Sequence, residues 1–149
     1  MPFDQGGLEI LDAEECRSLL AAASLGRIVF TDRALPAIQP VNFAFTGDDV
    51  VVRTSASSRL AAAAGDAVVA FEIDDFDATD RSGWSVVVVG RAHAVTDSAD
   101  LAALRDLPLH PWAPGERDHF LRIRADIITG RRIPDGGAHP HQHTSQRTV

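Results

Sequence analysis

Residues 50–65, VVVRTSASSRLAAAAG, decide how this chain is read. A β-branched apolar run ends at Arg53-Thr54, a Ser-rich bend follows, and the composition then changes to Ala and Leu with Arg59 near the start. The pattern predicts a strand over 50–54, a short loop, and a helix over 57–65 with Ser57 or Ser58 as N-cap and Gly65 as stop. Donors of three kinds converge at the junction. A helix start presents unpaired N–H groups. Thr54, Ser55, Ser57 and Ser58 add hydroxyls, and Arg53 and Arg59 add charge-assisted bonds suited to a dianion. Two readings stand side by side: a terminal phosphate gripped without a P-loop, or serines capping a helix beside solvated arginines.

Working outward, Asp12 to Ser24 reads as a helix, with Asp12 as cap, Glu15 three residues on, and Gly26 as stop. RIVFTD (27–32) and AIQPVNFAF (37–45) read as strands joined by a turn near Pro36, and TGDD leads into the strand at 50–54. Beyond the second helix come AVVAFEID (67–74), an acidic loop DDFDATDRSG, and WSVVVVGRAHAV (84–95). The last of these is apolar on both faces, as a strand inside a packed or closed sheet is. Asp97 to Leu107 predicts a helix ended by Pro108. LHPWAPGERDHF reads as loop and LRIRADIITGRRI (121–133) as the last strand. Strands joined by tight turns point to a mainly β, antiparallel barrel with peripheral helices rather than a doubly wound parallel sheet. Residues 1–133 form one domain on this reading. The polar, Gly- and Pro-rich stretch 134–149 is expected to be a disordered tail.

Composition narrows the function. At 149 residues, 45% hydrophobic and 23% charged, the chain has the makings of one soluble core. No apolar run approaches the roughly 18 residues of a membrane span, and the acidic N-terminus lacks the basic region of a signal peptide. A cytoplasmic protein without a membrane partner is expected. A net charge of -7 argues against nucleic acid. The single cysteine, Cys16, excludes an internal disulfide. All 14 basic residues are Arg, which excludes lysine Schiff-base chemistry and leaves arginine as the cation for any phosphate.

Four ordered blocks carry a resemblance: LGRIVFTD, PAIQPVNFAF with VVVRTSASSRLAAAAG, VVAFEIDDFDATDRSGWSVVVVGRA, and LHPWAPGERDHFLRIRADIITGRRI. From about Leu8 to Ile133 the chain resembles the pyridoxamine 5′-phosphate oxidase-like superfamily, and within it the single-domain nitroimidazole-resistance-type branch. The resemblance implies an FMN-binding split β-barrel homodimer with one FMN per subunit at the interface. It also implies an FMN-dependent oxidoreductase acting on a small-molecule substrate. Carried over by position, Arg53 and Thr54 end the strand under the phosphate, and Ser57, Ser58 and Arg59 complete the pocket. Arg59 stands where the family usually has Lys. Val41, Asn42 and Phe43 fall on the strand lining the isoalloxazine, and Trp84 and Ser85 fall where further flavin contacts come from the same or the neighbouring subunit. The C-terminal substrate-binding signature of authentic pyridoxamine phosphate oxidases is not found, and no catalytic acid or base stands out. The alternative is a non-catalytic module on the same barrel that binds flavin, a deazaflavin, or haem through His93 or His119.

Other features have plainer readings beside the functional ones. Asp74, Asp75, Asp77 and Asp80 lack the EF-hand pattern and read as a solvated turn between strands. The alternating His139, His141 and His143 fit adventitious metal affinity. Cys16 near a helix start is either a low-pKa thiol or, more simply, a buried packing group. Trp112, Arg117, His119, Arg131 and Arg132 border the substrate side of a flavin or pair with the many acids. No G-x-S-x-G elbow is present.

Overall fold

Burial alternates along the longest strands with the period of two that a pleated strand requires: Val69, Phe71 and Ile73 point in from one, Val86 and Val88 from the next. The computed structural model describes residues 2–109 and 118–134. In chain order the elements are β1 (Glu9–Ile10), α1 (Ala13–Ala22), β2 (Leu25–Asp32), β3 (Leu35–Thr46), β4 (Asp49–Thr54), α2 (Arg59–Ala63), β5 (Asp66–Asp77), β6 (Ser82–Ala94), α3 (Ser98–Arg105), β7 (His119–Arg124) and β8 (Ile127–Ile133). The sheet order is β1-β8-β6-β5-β2-β3-β4-β7, and β7 also pairs with β6. Six strands therefore close into an antiparallel barrel, while β8 and β1 continue the sheet from the other half of β6. This is the antiparallel barrel expected from the strand order, in the split form that the resemblance implies.

Local chemistry sets most boundaries. Asp12 caps α1, its Oδ1 accepting from the Glu15 N–H at 2.8 Å. Ser58 caps α2, accepting from the Ala61 N–H at 3.0 Å. α1 stops at Ala22, before the expected Gly26, which lies inside β2. There the missing side chain makes room for the Phe71 ring and the Glu72 carbonyl. The turn between β2 and β3 is at Arg33 and Ala34, with φ of 54° and 66°, and not at Pro36, which pairs with Thr31 inside β3. The acidic stretch expected as a loop is a hairpin instead: β5 runs to Asp77 and β6 starts at Ser82. Asp77 Oδ1 accepts from Thr79 and Asp80 N–H groups and closes the turn.

The expected last strand is two. β6 pairs with β8 from Gly83 to Val89 and with β7 from Ala92 to Ala94. The chain passes from one partner to the other directly over Gly90, where a Cβ would lie 1.6 Å from the Arg124 carbonyl oxygen. The bend at Ala125–Asp126 is thus placed by a glycine on a different strand. Inside the barrel, Ile28, Phe43, Val50, Val52, Phe71, Val88 and Ile123 pack as one core, with Leu20 of α1 joining it. Outside, Leu104 and Leu109 cover Val51 and Phe120 on the β4–β7 face.

Candidate functional site

The end of β4 and the start of α2 form a polar corner. Thr54, 1% exposed, is paired with His119 of β7. Its hydroxyl donates to Ser58 Oγ at 3.2 Å, and Ser58 in turn caps α2. Ser55 and Ser57 share a hydroxyl hydrogen bond at 3.0 Å on the exposed side. Together with Ala56, Asp118 and His119 these two serines line a cavity of about 310 Å³. His119 Nε2 is buried and has no hydrogen-bond partner among the described residues. An atom in that position is costly unless something else reaches it.

Both predicted arginines are already paired. Arg59 Nη1 lies 2.7 Å from Asp32 at the end of β2. Arg53 donates to Asp118 at 3.2 Å and to the Leu109 carbonyl at 3.3 Å, with its guanidinium 5.4 Å above the Phe120 ring. Arg53, Thr54, Ser57, Ser58 and Arg59 are therefore brought to one corner, with Thr54 and Ser58 acting as its internal brace.

The residues expected beside a flavin ring divide. Val41 and Phe43 face the core, Phe43 standing edge-on to Phe71 with centroids 4.7 Å apart. The Phe43 N–H is taken by the Ser24 carbonyl at 3.1 Å. Asn42 is nearly buried and is paired with Leu25. Ser85 lies on the outer face of β6, paired with Asp74 and Arg131. Trp84 is on the opposite face of that strand, packed against the core, and lines a cavity of about 590 Å³ with Phe76, Arg132 and Ile133.

Between Asn42 and Ser85 the structure places a cluster that the sequence did not announce. Arg27 Nη1 reaches Glu72 Oε1 at 3.0 Å and Asp74 Oδ2 at 2.7 Å. Burial, together with the neighbouring Asp74 carboxylate, pushes the Glu72 carboxyl above the ordinary range, and Arg27 opposes this. Arg27 and Asp74 line a cavity of about 230 Å³ with Leu25, Gly26 and Pro40. Period-two alternation puts Glu72 and Asp74 on one face of β5, but only the pairing of β2 with β5 brings Arg27 opposite them.

The remaining candidates have structural roles here. Cys16 is buried against Gly130, and burial pushes its thiol up rather than down. Arg131 pairs with Asp4 at 2.9 Å and Arg132 with Glu15 at 2.6 Å. His93 is half-exposed beside Asp66. Among the described residues no group of three or more His, Cys, Asp or Glu side chains is arranged to hold a metal ion, and no helix is long and apolar enough to cross a membrane. Trp112, Arg117, the tail histidines and the expected disordered tail beyond Pro134 lie outside the described residues.

Comparison with known proteins agrees with this architecture. The family described as pyridoxamine 5′-phosphate oxidase matches residues 12–132. The uncharacterized protein Rv0080 of Mycobacterium tuberculosis is 44% identical over 128 residues, covering 83% of this chain and 84% of its own. The solved structure of an FAD binding protein from Mycobacterium smegmatis is 42% identical, with a TM-score of 0.73 over 83% of this chain and 97% of that one. A candidate pyridoxamine 5′-phosphate oxidase from Corynebacterium glutamicum is 33% identical, with a TM-score of 0.72 over 84% and 92%. A match running almost from the cap of α1 to the end of β8, on a six-stranded split barrel, makes this chain a member of the pyridoxamine 5′-phosphate oxidase-like family.

Proposed function

We propose that this chain is a flavin-binding oxidoreductase that acts on a small-molecule substrate, in the cytoplasm, as a homodimer. The observation that carries the reading is His119, whose buried Nε2 has no partner among the described residues and which lines one cavity with Ser55 and Ser57. A phosphate oxygen there would satisfy the imidazole and accept from both hydroxyls. Arg53 is bound to Asp118, which lines the cavity, and Arg59 stands at the start of α2 beside it; they are the nearby cations that would balance the phosphate charge. Because Asp118 and Asp32 already hold them, an incoming dianion exchanges partners with carboxylates rather than meeting bare cations. The donor set fits a flavin phosphate.

FMN is the nucleotide to which the loop and the resemblance lead. The Mycobacterium smegmatis relative is an FAD binding protein, and FAD carries a phosphate at the same position of its ribityl chain, there esterified in a pyrophosphate with a single charge. The hydroxyl donors of the loop suit both nucleotides, and the paired arginines favour the FMN dianion. When bound, the flavin supplies two-electron redox chemistry. The protein's part is to bind, orient and cover it. Thr54 and Ser58 keep the loop rigid, while Asn42 and Ser85 stand on the sheet where the ring is expected.

The homodimer finds support in the outer sheet face. Ile38, Val29, Ala70, Val89 and Ile127 are register partners in one row across β3, β2, β5, β6 and β8. Ile38 is 67% and Ile127 57% exposed. A contiguous apolar patch of this kind marks an interaction surface, and a second copy of the chain is the occupant we assign to it. The test of the cofactor is a visible absorption spectrum of the purified protein, before and after incubation with FMN or FAD and removal of the excess. A retained flavin band is expected, and chromatography of the released cofactor distinguishes the two nucleotides. A colourless protein that rejects both overturns the reading, and a Soret band transfers it to haem.

A further inference from the structure

The Arg27–Glu72–Asp74 cluster takes no part in holding a phosphate, yet it stands between the two residues assigned to the ring. Leu25, in the wall of its cavity, is paired with Asn42, and Asp74 is paired with Ser85. We propose that Glu72 and Asp74 are a proton reservoir beside the flavin, taking up one proton for each two-electron reduction and giving it back on reoxidation. The proposal rests on the flavin reading above and adds to it the acid–base group that the sequence did not supply.

Geometry gives the cluster this capacity. One guanidinium faces two carboxylates, both bound through the same Nη1, so the cluster carries a net charge of about −1. Residues two apart on a strand project from the same face, which keeps the carboxylates adjacent. Glu72 and Asp74 are only 27% and 20% exposed. Around Glu72, β2 presents Arg27, β5 itself Asp74, β6 the uncharged Ser85 and Val87, and β3 Pro40. On β8, beyond β6, stand Thr129 and Arg131, the latter held by Asp4. Among the described residues only Arg27 and Asp74 act on its proton directly, and burial already raises its affinity.

The electrostatic consequence is specific. Two electrons delivered to the site by a hydride donor of the nicotinamide class add negative charge opposite a cluster that is already negative. Like charge raises the proton affinity of a carboxylate. Glu72 carboxylate, which keeps some exposure to solvent, then takes a proton from water and becomes the acid, hydrogen-bonded to Asp74. When the electron pair leaves with a hydride to the substrate, the charge that held this proton leaves with it. Glu72 returns the proton to the atom adjacent to the one that received the hydride, or to water, and reverts to the carboxylate paired with Arg27.

The experiment is a potentiometric titration of the flavin-loaded protein, wild type and Glu72→Gln, from about pH 5 to pH 8.5. Between the Glu72 pKa of the oxidised and reduced states, one additional proton per two electrons makes the wild-type midpoint potential fall more steeply by about 30 mV per pH unit. The variant loses that increment. A second readout needs no variant except for assignment: the ¹³C carboxyl resonance of Glu72 titrates at a higher pH in the reduced than in the oxidised protein. Parallel potential curves in two proteins that both hold flavin, or an unmoved Glu72 titration, overturn the proposal and leave the flavin reading standing. A wild type that holds no flavin overturns both.

Discussion

Replacing Gly90 by Ala tests the geometry that closes the barrel. The added Cβ would sit 1.6 Å from the Arg124 carbonyl oxygen and 2.8 Å from its carbon. Ordinary contact begins near 3.4 Å, so the carbonyl has to retreat by about 1.8 Å or β6 has to bend away. Neither is a side-chain adjustment. Arg124 ends β7 and is paired with Asp49, and the β6–β7 closure at Ala92, His93 and Ala94 begins two residues beyond Gly90. Overpacking costs roughly 1–3 kcal/mol when the neighbours can yield, and a backbone obstacle places this substitution at the upper end, about 3 kcal/mol. Gly47→Ala is the control. Its φ is +62° and none of the described residues would come within 4 Å of the added Cβ, so only the left-handed penalty of about 1–2 kcal/mol applies. In urea, with a slope of about 2 kcal/mol/M for a domain of this size, Gly90→Ala lowers the midpoint by about 1.5 M and Gly47→Ala by less than 1 M. Equal midpoints for the two variants, or a smaller loss at Gly90, would refute the crossing of β7 over β6 at that residue.

Four further outcomes follow from the same structure. Arg53→Ala with Arg59→Ala should weaken flavin binding by about 100-fold, since charged hydrogen bonds are worth about 1.5–3 kcal/mol each and both are here partly offset by Asp118 and Asp32; fluorescence titration giving an unchanged Kd removes the phosphate assignment. Ile38→Asp with Ile127→Asp should give a monomer by light scattering while the far-ultraviolet dichroism stays native, and a dimer that survives would place the interface elsewhere. Ala34→Gly should raise Tm by about 3 °C, by relieving a left-handed residue worth about 1 kcal/mol in the Arg33–Ala34 turn; a fall in Tm contradicts that geometry. Glu72 holds its proton more tightly in the folded state than in the unfolded chain, so its contribution to stability grows as pH falls through the folded pKa towards the ordinary 4.5. The stability advantage of Glu72→Gln over wild type should therefore shrink on acidification from neutral pH, and parallel urea midpoints across that range would contradict it.

How much of this was legible in the sequence depends on how far each determinant lies along the chain. The caps at Asp12 and Ser58 and the Ser-rich corner at the end of β4 are local, and the residues themselves announce them. Strand identities follow from alternation, which is local too. The division of the last strand was not legible. Arg124 and Asp126 look like ordinary strand residues, and the cause of the bend is Gly90 on β6. The turn at Arg33–Ala34 was missed because Pro36 is the stronger local turn signal. The pairing of Leu35 with Asp32 needs two residues at positive φ that nothing in their chemistry favours. Gly26 looked like a helix stop, whereas its role is to admit Phe71 from β5.

The same reasoning explains why the Arg27–Glu72–Asp74 cluster was invisible while the Ser-rich corner was not. A barrel filled by Ile28, Phe71, Ile73, Val86 and Val88 must export every alternate side chain on those strands. The exported set includes Arg27, Val29, Glu72, Asp74, Val87 and Val89, and its composition is a choice that filling the barrel does not dictate. A purely solvated face would be polar throughout. This one carries an apolar row ending in Ile38 and Ile127, with a charged cluster in the adjacent row. The apolar row calls for a cover, and covering it would also desolvate Glu72 and Asp74 further. Assembly and proton affinity are thus linked on one surface: burying the row raises the carboxylate pKa, and protonating Glu72 lowers the charge that the second copy must bury. The proposed dimer should accordingly tighten as pH falls, and Glu72→Gln should remove that dependence without touching the apolar contact itself.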